Sequence, residues 1–317
     1  MEWTHPPLGK LLMTIPIIIF GFSPFTYRLM GVIAGILMIP VIYILAKRLF
    51  KRTKWAFLAG LLMAFDNFHL AHTRLATVDS FLVLFILLAC LFMKQYIDLG
   101  KDDDFKPKAK NLLLSGLFIG CAIATKWTGL YALLGLGILF FSHLFKQYED
   151  GRRKKFNYNM ASKITLAGLV ILSLIPILIY YITMFITNAA TATSTMFWYY
   201  VIVAIIVVIL LISALLKKDS SLKKTFIVCV IAFGLIPLVI YILSYVLFPN
   251  VALYNNGLTG IIDQAKEMYT YHSTLTASHP FESNWYQWPI MYKPVWYYVG
   301  YYGGNIKSTI VRSNFRS

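Results

Sequence analysis

The sequence predicts an all-α integral membrane protein, a polytopic bundle of about eight transmembrane helices. Three observations carry this prediction: the apolar composition, the long apolar runs, and the uneven distribution of basic residues among the loops. Of the 317 residues, 59% are hydrophobic and only 13% are charged, whereas soluble globular chains contain about 45–50% apolar and about 25% charged residues. A soluble core of this size could not bury so much apolar surface, so the lipid bilayer is the expected solvent.

The apolar residues form runs with almost no charge, long enough to cross the ~30 Å hydrocarbon core of a bilayer. The run at residues 11–25 is shorter and is broken by Pro16, Gly21 and Pro24. It is therefore predicted to be an interfacial or re-entrant helix. The predicted spans are residues 27–46, 55–72, 78–97, 111–126, 127–145, 163–187, 197–216 and 225–247.

The loop charges predict the orientation of these spans. Most of the 29 basic residues lie in four alternate loops, which the positive-inside rule assigns to the cytoplasm. Both ends of the chain then lie outside, and the net charge of +16 reflects topology, so no nucleic-acid partner is expected. The predicted organisation is an external loop and interfacial helix at 1–26, a transmembrane bundle at 27–247, and an external aromatic-rich loop at 248–317.

Four groups of polar residues fall on the predicted outer side: residues 5–10, 66–80, 126–127 and 279–288. Ionisable residues near membrane depth are costly, and they tend to mark functional sites.

In the second group, Asp66, His69 and, less squarely, Arg74 and Asp79 would share one face of a helix if the segment is helical. Arg74 is predicted to hold a phosphate at the bilayer edge, since a guanidinium binds phosphate oxygens through two parallel hydrogen bonds. The alternative is an ion pair between Arg74 and Asp79 that fixes a loop.

Lys126 lies between two apolar runs, where it either extends its ammonium to the interface or faces an anionic group. Trp285, Tyr286 and Trp288 form either an interfacial aromatic belt or a surface for stacking on sugars.

Histidines in the second and fourth groups raise the question of a metal site. His69, His72, His279 and Glu282 are possible ligands, but no established metal-binding pattern supports them, so no metal is predicted. The chain also has no glycine-rich loop between a strand and a helix, which argues against a sugar nucleotide as a direct substrate.

The four groups, read as residues 5–10 (HPPLGK), 74–80 (RLATVDS), 126–130 (KWTGL) and 279–289 (HPFESNWYQWP), together resemble the protein O-mannosyltransferases. These enzymes depend on dolichyl-phosphate-mannose, or on polyprenyl-phosphate-mannose in bacteria, and have the C-type glycosyltransferase fold. The resemblance runs through nearly the whole chain in the expected order.

The resemblance implies inverting transfer of mannose from a lipid phosphate to Ser or Thr hydroxyls of translocated proteins. The lipid-linked mannose is a substrate, and no cofactor is implied. In a bacterium the protein would lie in the plasma membrane, with its active side outward. Arg74, Lys126 and Lys10 are expected to bind the donor phosphate, and six residues are expected to shape the sugar or acceptor site: His5, Asp66, Asp79, His279, Glu282 and Trp285.

The family's acceptor-side carboxylate comes from an Asp-Glu pair in the first external loop, which would precede His5. Glu2 is not part of such a pair, and residues 311–317 do not resemble the family's continuation. The catalytic residue is therefore expected upstream of Met1. We expect the chain to be a fragment, truncated at both ends, that alone transfers little or no mannose.

Three alternatives remain open from the sequence. The first is another glycosyltransferase that uses a different lipid-phosphate-linked sugar. The second is a transporter, which predicts charges at the midplane of spans and interrupted helices in two related halves, whereas the span interiors here are almost free of charge. The third is a non-catalytic membrane scaffold.

Overall fold

The part of the chain that the structure describes is helical apart from one β-hairpin near its end. The computed structural model describes residues 4–100, 102–150, 220–247, 258–276, 284, 286–287, 292, 295–302 and 305–311. The predicted spans at 163–187 and 197–216 therefore lie outside the described residues. The helices before the first long gap are α1 (Leu8–Phe20), α2 (Thr26–Phe50), α3 (Thr53–Phe65), α4 (Asn67–Thr73), α5 (Asp79–Ile97), α6 (Phe105–Thr125) and α7 (Gly129–Asp150).

After the gap the structure describes α8 (Ser220–Val230), a π-helical turn (Ile231–Leu235), α9 (Ile236–Val246) and α10 (Leu258–Thr274). The π-helical turn ends two residues before Pro237, whose ring lacks the N–H that a regular helix would use.

Helix α2 is a candidate span of 25 residues, and its C-terminal end is stabilised by two common features of helix termini. Lys47 and Arg48 lie in its last turn, where positive charge interacts favourably with the helix dipole. Lys51 then adopts a left-handed conformation with φ 54°, and its N–H donates to the carbonyl of Lys47, as is common where a helix ends.

The predicted span at 55–72 is wrong as a single helix. The chain extends at Asp66, with φ −69° and ψ 117°, and the Asp66 carboxylate accepts hydrogen bonds from the backbone N–H groups of Phe68 and His69. Aspartate is a favoured N-cap because it satisfies such donors. The apolar run therefore forms two helices, α3 and the short α4.

Three described helices are long and apolar enough to cross a membrane: Thr26–Phe50, Asp79–Ile97 and Leu222–Val246. Shorter apolar helices occupy Leu8–Phe20, Thr53–Phe65 and Gly129–Leu144. Large apolar side chains on several of these helices are exposed, including Ile36, Leu62 and Leu238, as expected where lipid is the solvent. An integral membrane protein is thus confirmed, while the count of eight spans stays a prediction.

The chain divides into two compact units. The first contains Met1–Leu87, Ala124–Trp127 and Ile242–Ser317, and the second contains Leu88–Ile123 and Thr128–Tyr241. All the described polar residues that we consider below as a candidate site belong to the first unit.

Within the second unit, α6 packs closely on two neighbours. The hydroxyl of Ser115 donates to the carbonyl of Ala89, at 2.9 Å. A Cβ added at Gly116 would lie 2.0 Å from the carbonyl oxygen of Ala232 in the π-helical turn. Small residues allow such close backbone approach between membrane helices, so the absence of a side chain at Gly116 sets this contact.

The hairpin was not predicted from the sequence. Strands β1 (Val295–Tyr302) and β2 (Asn305–Val311) pair antiparallel, with an irregularity between Trp296 and Tyr298. The all-α prediction is therefore wrong for this segment, whose β-branched and aromatic residues favour strands.

We predict that Gly116→Ala destabilises the protein, because its Cβ would overlap backbone atoms of Ala232 that cannot move without shifting the π-helical turn. Overpacking of this kind costs about 2 kcal/mol. The matched control is Gly135→Ala in α7, where an added Cβ meets nothing within 4 Å. Thermal unfolding in detergent should show a lower midpoint for Gly116→Ala and no loss for Gly135→Ala. Equal midpoints for the two variants would contradict the close contact.

Candidate functional site

The candidate site begins with the short helix α4, which two features fix in place. At its start, Asp66 Oδ1 accepts from the Phe68 N–H at 3.3 Å and Asp66 Oδ2 accepts from the His69 N–H at 3.1 Å. At its end, Thr73 lies so close to α2 that a Cβ on Gly35 would be 2.7 Å from its methyl carbon. The structure thus assigns Asp66 a capping role, and its site-shaping role stays a prediction.

The predicted shared helical face does not form. Helix α4 ends at Thr73, so Arg74 lies in a loop and Asp79 begins the next helix, α5. His69 is buried, whereas Arg74 is exposed. The four residues that would share a face in one continuous helix are instead divided among a cap, a helix, a loop and a second helix.

An ion pair joins two of these elements. The ammonium of Lys126, which follows the end of α6, lies 2.8 Å from Asp79 Oδ1 at the start of α5. Both side chains are about a quarter to a third exposed, at 26% and 32%. The alternative ion pair between Arg74 and Asp79 is therefore wrong, because Asp79 pairs with Lys126.

His72 lies on the other side of the same carboxylate. Its Nε2 is 3.6 Å from Asp79 Oδ2 and 3.4 Å from the Thr77 hydroxyl. Its ring stacks on Phe68, with centroids 5.3 Å apart and planes 12° from parallel. The sequence indicated His72 only as a possible metal ligand and gave no role to Thr77. The four-residue spacing of Phe68 and His72 within α4 is the signal that predicts their stacking.

The N-terminal motif packs against this ion pair. A Cβ on Gly9 would lie 2.9 Å from a methyl carbon of Val78 and 3.0 Å from the methyl carbon of Thr125. Val78 directly precedes Asp79, and Thr125 directly precedes Lys126. Three of the four predicted groups are therefore brought together, and we call residues 5–10, 66–80 and 126 the polar cluster.

Helix α10 also contacts the N-terminal motif. The rings of His5 and His272 stack with centroids 5.7 Å apart, and His272 Nε2 donates to the carbonyl of Thr4 at 3.0 Å. Lys10 extends its ammonium back to the carbonyl of His5 at 3.3 Å. His5 thus contacts α10 just before the start of α1, and Lys10 lies in the first turn of α1.

Arg74 differs from the other two predicted phosphate ligands. In the part of the chain that the structure describes, its guanidinium makes no ion pair and no side-chain hydrogen bond. An arginine has five N–H donors and no acceptor. In the described structure the exposed guanidinium of Arg74, five residues before Asp79 in the sequence, therefore keeps those donors available to an anion.

The fourth predicted group lies mostly outside the described residues, including His279, Glu282 and Trp285. Of this segment the structure shows Asn284, whose side chain donates to the Tyr286 hydroxyl at 3.0 Å. Within the described ranges, no group of three or more His, Cys, Asp or Glu side chains could hold a metal ion.

We predict that Asp79→Asn destabilises the protein, since it leaves the ammonium of half-buried Lys126 without a charged partner. Partly exposed ion pairs of this kind contribute about 1 kcal/mol. The control is Asp98→Asn, which removes the partner of Lys94 in an ion pair between residues four apart at the other end of α5. The unfolding midpoint should fall more for Asp79→Asn than for Asp98→Asn. A larger loss for Asp98→Asn would contradict a structural role for the Lys126 pair.

The sequence is similar to those of known mannosyltransferases. The polyprenol-phosphate-mannose–protein mannosyltransferase of Corynebacterium glutamicum is 31% identical over 193 residues, which cover 56% of this chain and 37% of that protein. The enzyme of the same name from Mycolicibacterium smegmatis is 28% identical over 158 residues, 43% of this chain and 29% of that protein. Dolichyl-phosphate-mannose–protein mannosyltransferase 6 of Saccharomyces cerevisiae is 26% identical over 192 residues, 56% of this chain and 25% of that protein.

The chain thus matches well under half the length of each of these relatives. A sequence model of the family described as dolichyl-phosphate-mannose-protein mannosyltransferase matches residues 6–193, more than half of the chain. That match contains the described polar cluster from Pro6 onward, including Arg74, Asp79 and Lys126. The chain belongs to the dolichyl-phosphate-mannose-protein mannosyltransferase family.

Proposed function

We propose that this chain carries the lipid-donor side of a membrane mannosyltransferase. In the proposed reaction, mannose passes with inversion from polyprenyl or dolichyl phosphate to a Ser or Thr hydroxyl of a translocated protein. The observation that supports this most directly is the polar cluster, which contains the exposed guanidinium of Arg74 and the Asp79–Lys126 ion pair.

The proposed chemistry needs cations where the phosphate leaves. The acceptor oxygen attacks the anomeric carbon, the bond from that carbon to the phosphate oxygen breaks, and the lipid phosphate departs with the bonding electrons. Arg74 would bind the phosphate oxygens, and Lys126 and Lys10 would donate further hydrogen bonds to them. Preorganised cations stabilise the charge that develops on a leaving group. The family resemblance implies that an Asp-Glu pair preceding His5 accepts the proton of the acceptor hydroxyl.

The remaining predicted residues complete this proposal. His5, Asp66 and Asp79 would shape the site from the described part of the chain, and His279, Glu282 and Trp285 from the fourth group. The proposed architecture is the C-type glycosyltransferase fold with about eight spans. The polar cluster would face outward, away from the cytoplasm, because the basic loops orient the spans.

The first experiment measures which donor the 317-residue chain binds in lipid nanodiscs. We expect saturable binding of polyprenyl-phosphate-mannose and no binding of GDP-mannose. Tighter binding of polyprenyl-phosphate-glucose would favour the alternative of a different lipid-linked sugar. An absence of any lipid-phosphate binding would overturn the proposal and favour a non-catalytic scaffold or a transporter.

We predict that Arg74→Ala weakens donor binding about tenfold, because each hydrogen bond to a charged group contributes about 1.5–3 kcal/mol. The donor affinity of Arg74→Lys should lie between those of Arg74→Ala and the wild type, since lysine keeps the positive charge but lacks the planar guanidinium. The control is Arg52→Ala, which removes an arginine just before α3 that lies outside the polar cluster. Equal affinities for Arg74→Ala and Arg52→Ala would contradict the phosphate role of Arg74.

A further inference from the structure

His72 has no part in the function proposed above, yet its imidazole is held from two sides within the polar cluster. Phe68 stacks on one face of the ring, and Nε2 lies within 3.4 Å of the Thr77 hydroxyl and 3.6 Å of Asp79 Oδ2. A stacked ring near a carboxylate has little rotational freedom. The imidazole therefore presents Nε2 to Asp79 in a fixed direction.

The carboxylate of Asp79 links His72 to Lys126. Its Oδ2 faces His72, and its Oδ1 accepts from the Lys126 ammonium at 2.8 Å. A carboxylate held at only one oxygen rotates more freely about its side-chain bonds than one whose other oxygen also faces a polar group, as Oδ2 faces His72 at 3.6 Å. A group that orients a ligand-binding side chain without touching the ligand often affects the affinity for the ligand as strongly as the direct contacts do.

This orientation determines which donors of Lys126 are available. A lysine ammonium has three N–H donors, and the Asp79 carboxylate takes one of them. A carboxylate free to rotate can move with the flexible lysine side chain, so that the ammonium takes several positions. A fixed carboxylate holds the ammonium in one position, with its remaining donors directed away from Asp79.

We propose that His72 is a positioning residue, which acts through Asp79 to hold the Lys126 ammonium for the phosphate of the lipid donor. This inference rests on the proposed function, because it needs a phosphate that Lys126 binds. It goes beyond that function by assigning a role to a side chain that touches neither the phosphate nor the sugar.

Three substitutions separate this role from simple packing. His72→Phe keeps an aromatic ring against Phe68 but loses the nitrogen that faces Asp79. His72→Gln loses the ring but keeps an N–H donor at a similar distance along the side chain. The control is His143→Phe in α7, a histidine whose buried Nε2 has no hydrogen-bond partner in the described structure and which lies outside the polar cluster.

The test measures the dissociation constant of polyprenyl-phosphate-mannose for the 317-residue chain in nanodiscs, together with the thermal unfolding midpoint. We expect His72→Phe to weaken binding about tenfold with little change in the midpoint. His72→Gln should bind within about threefold of the wild type, and His143→Phe should bind as the wild type does.

A double-mutant cycle gives the decisive readout. If His72 acts through Lys126, His72→Phe should have no further effect on donor binding in the Lys126→Ala background. Unchanged binding by His72→Phe alone, or an equal loss with and without Lys126, would overturn the inference while leaving the proposed function in place. If the wild-type chain itself fails to bind the donor, the proposed function fails, and the role of His72 falls with it.

Discussion

The ion pair between Asp79 and Lys126 is the interaction on which the rest of the polar cluster depends. Placing a lone charge near the hydrocarbon of a bilayer costs free energy, and each partner of the ion pair lowers that cost for the other. The pair joins the start of α5 to the end of α6, across 47 residues of sequence. The residues just before each partner, Val78 and Thr125, form the surface on which Gly9 packs. Because Gly9 has no side chain, the N-terminal motif approaches the pair closely.

How much of this arrangement the sequence could predict depends on the range of the interaction. Hydropathy predicted α2 and α5 within a few residues, because each is a single long apolar run. Hydropathy could not predict the break at Asp66, since the apolar run continues on both sides and the break is a local capping interaction. Loop charges placed Lys126 and residues 66–80 on one side of the membrane. They carried no information on which cation would meet Asp79.

The choice between Arg74 and Lys126 shows that limit clearly. Arg74 is the basic residue near Asp79 in sequence, and an ion pair between them was the alternative to a phosphate role. In the structure Lys126 takes that place, and Arg74 is exposed without a charged partner among the described residues. A long-range contact thus decides the role of a local residue. The pairing of Lys126 also accounts for the position of His72, which approaches the carboxylate oxygen that the lysine leaves open.

The charges of the cluster suit the proposed reaction in a way that the individual residues do not reveal. Lys10, Arg74 and Lys126 carry three positive charges, and the carboxylates of Asp66 and Asp79 offset two of them, which leaves an excess of one. A lipid phosphodiester donor carries a single negative charge, so the excess balances the charge of the bound donor. When the bond to the sugar breaks, the departing phosphate gains a second negative charge. The attraction between the phosphate and the cations Lys10, Arg74 and Lys126 would therefore grow as this bond breaks, and interactions that strengthen toward the transition state are those that accelerate a reaction.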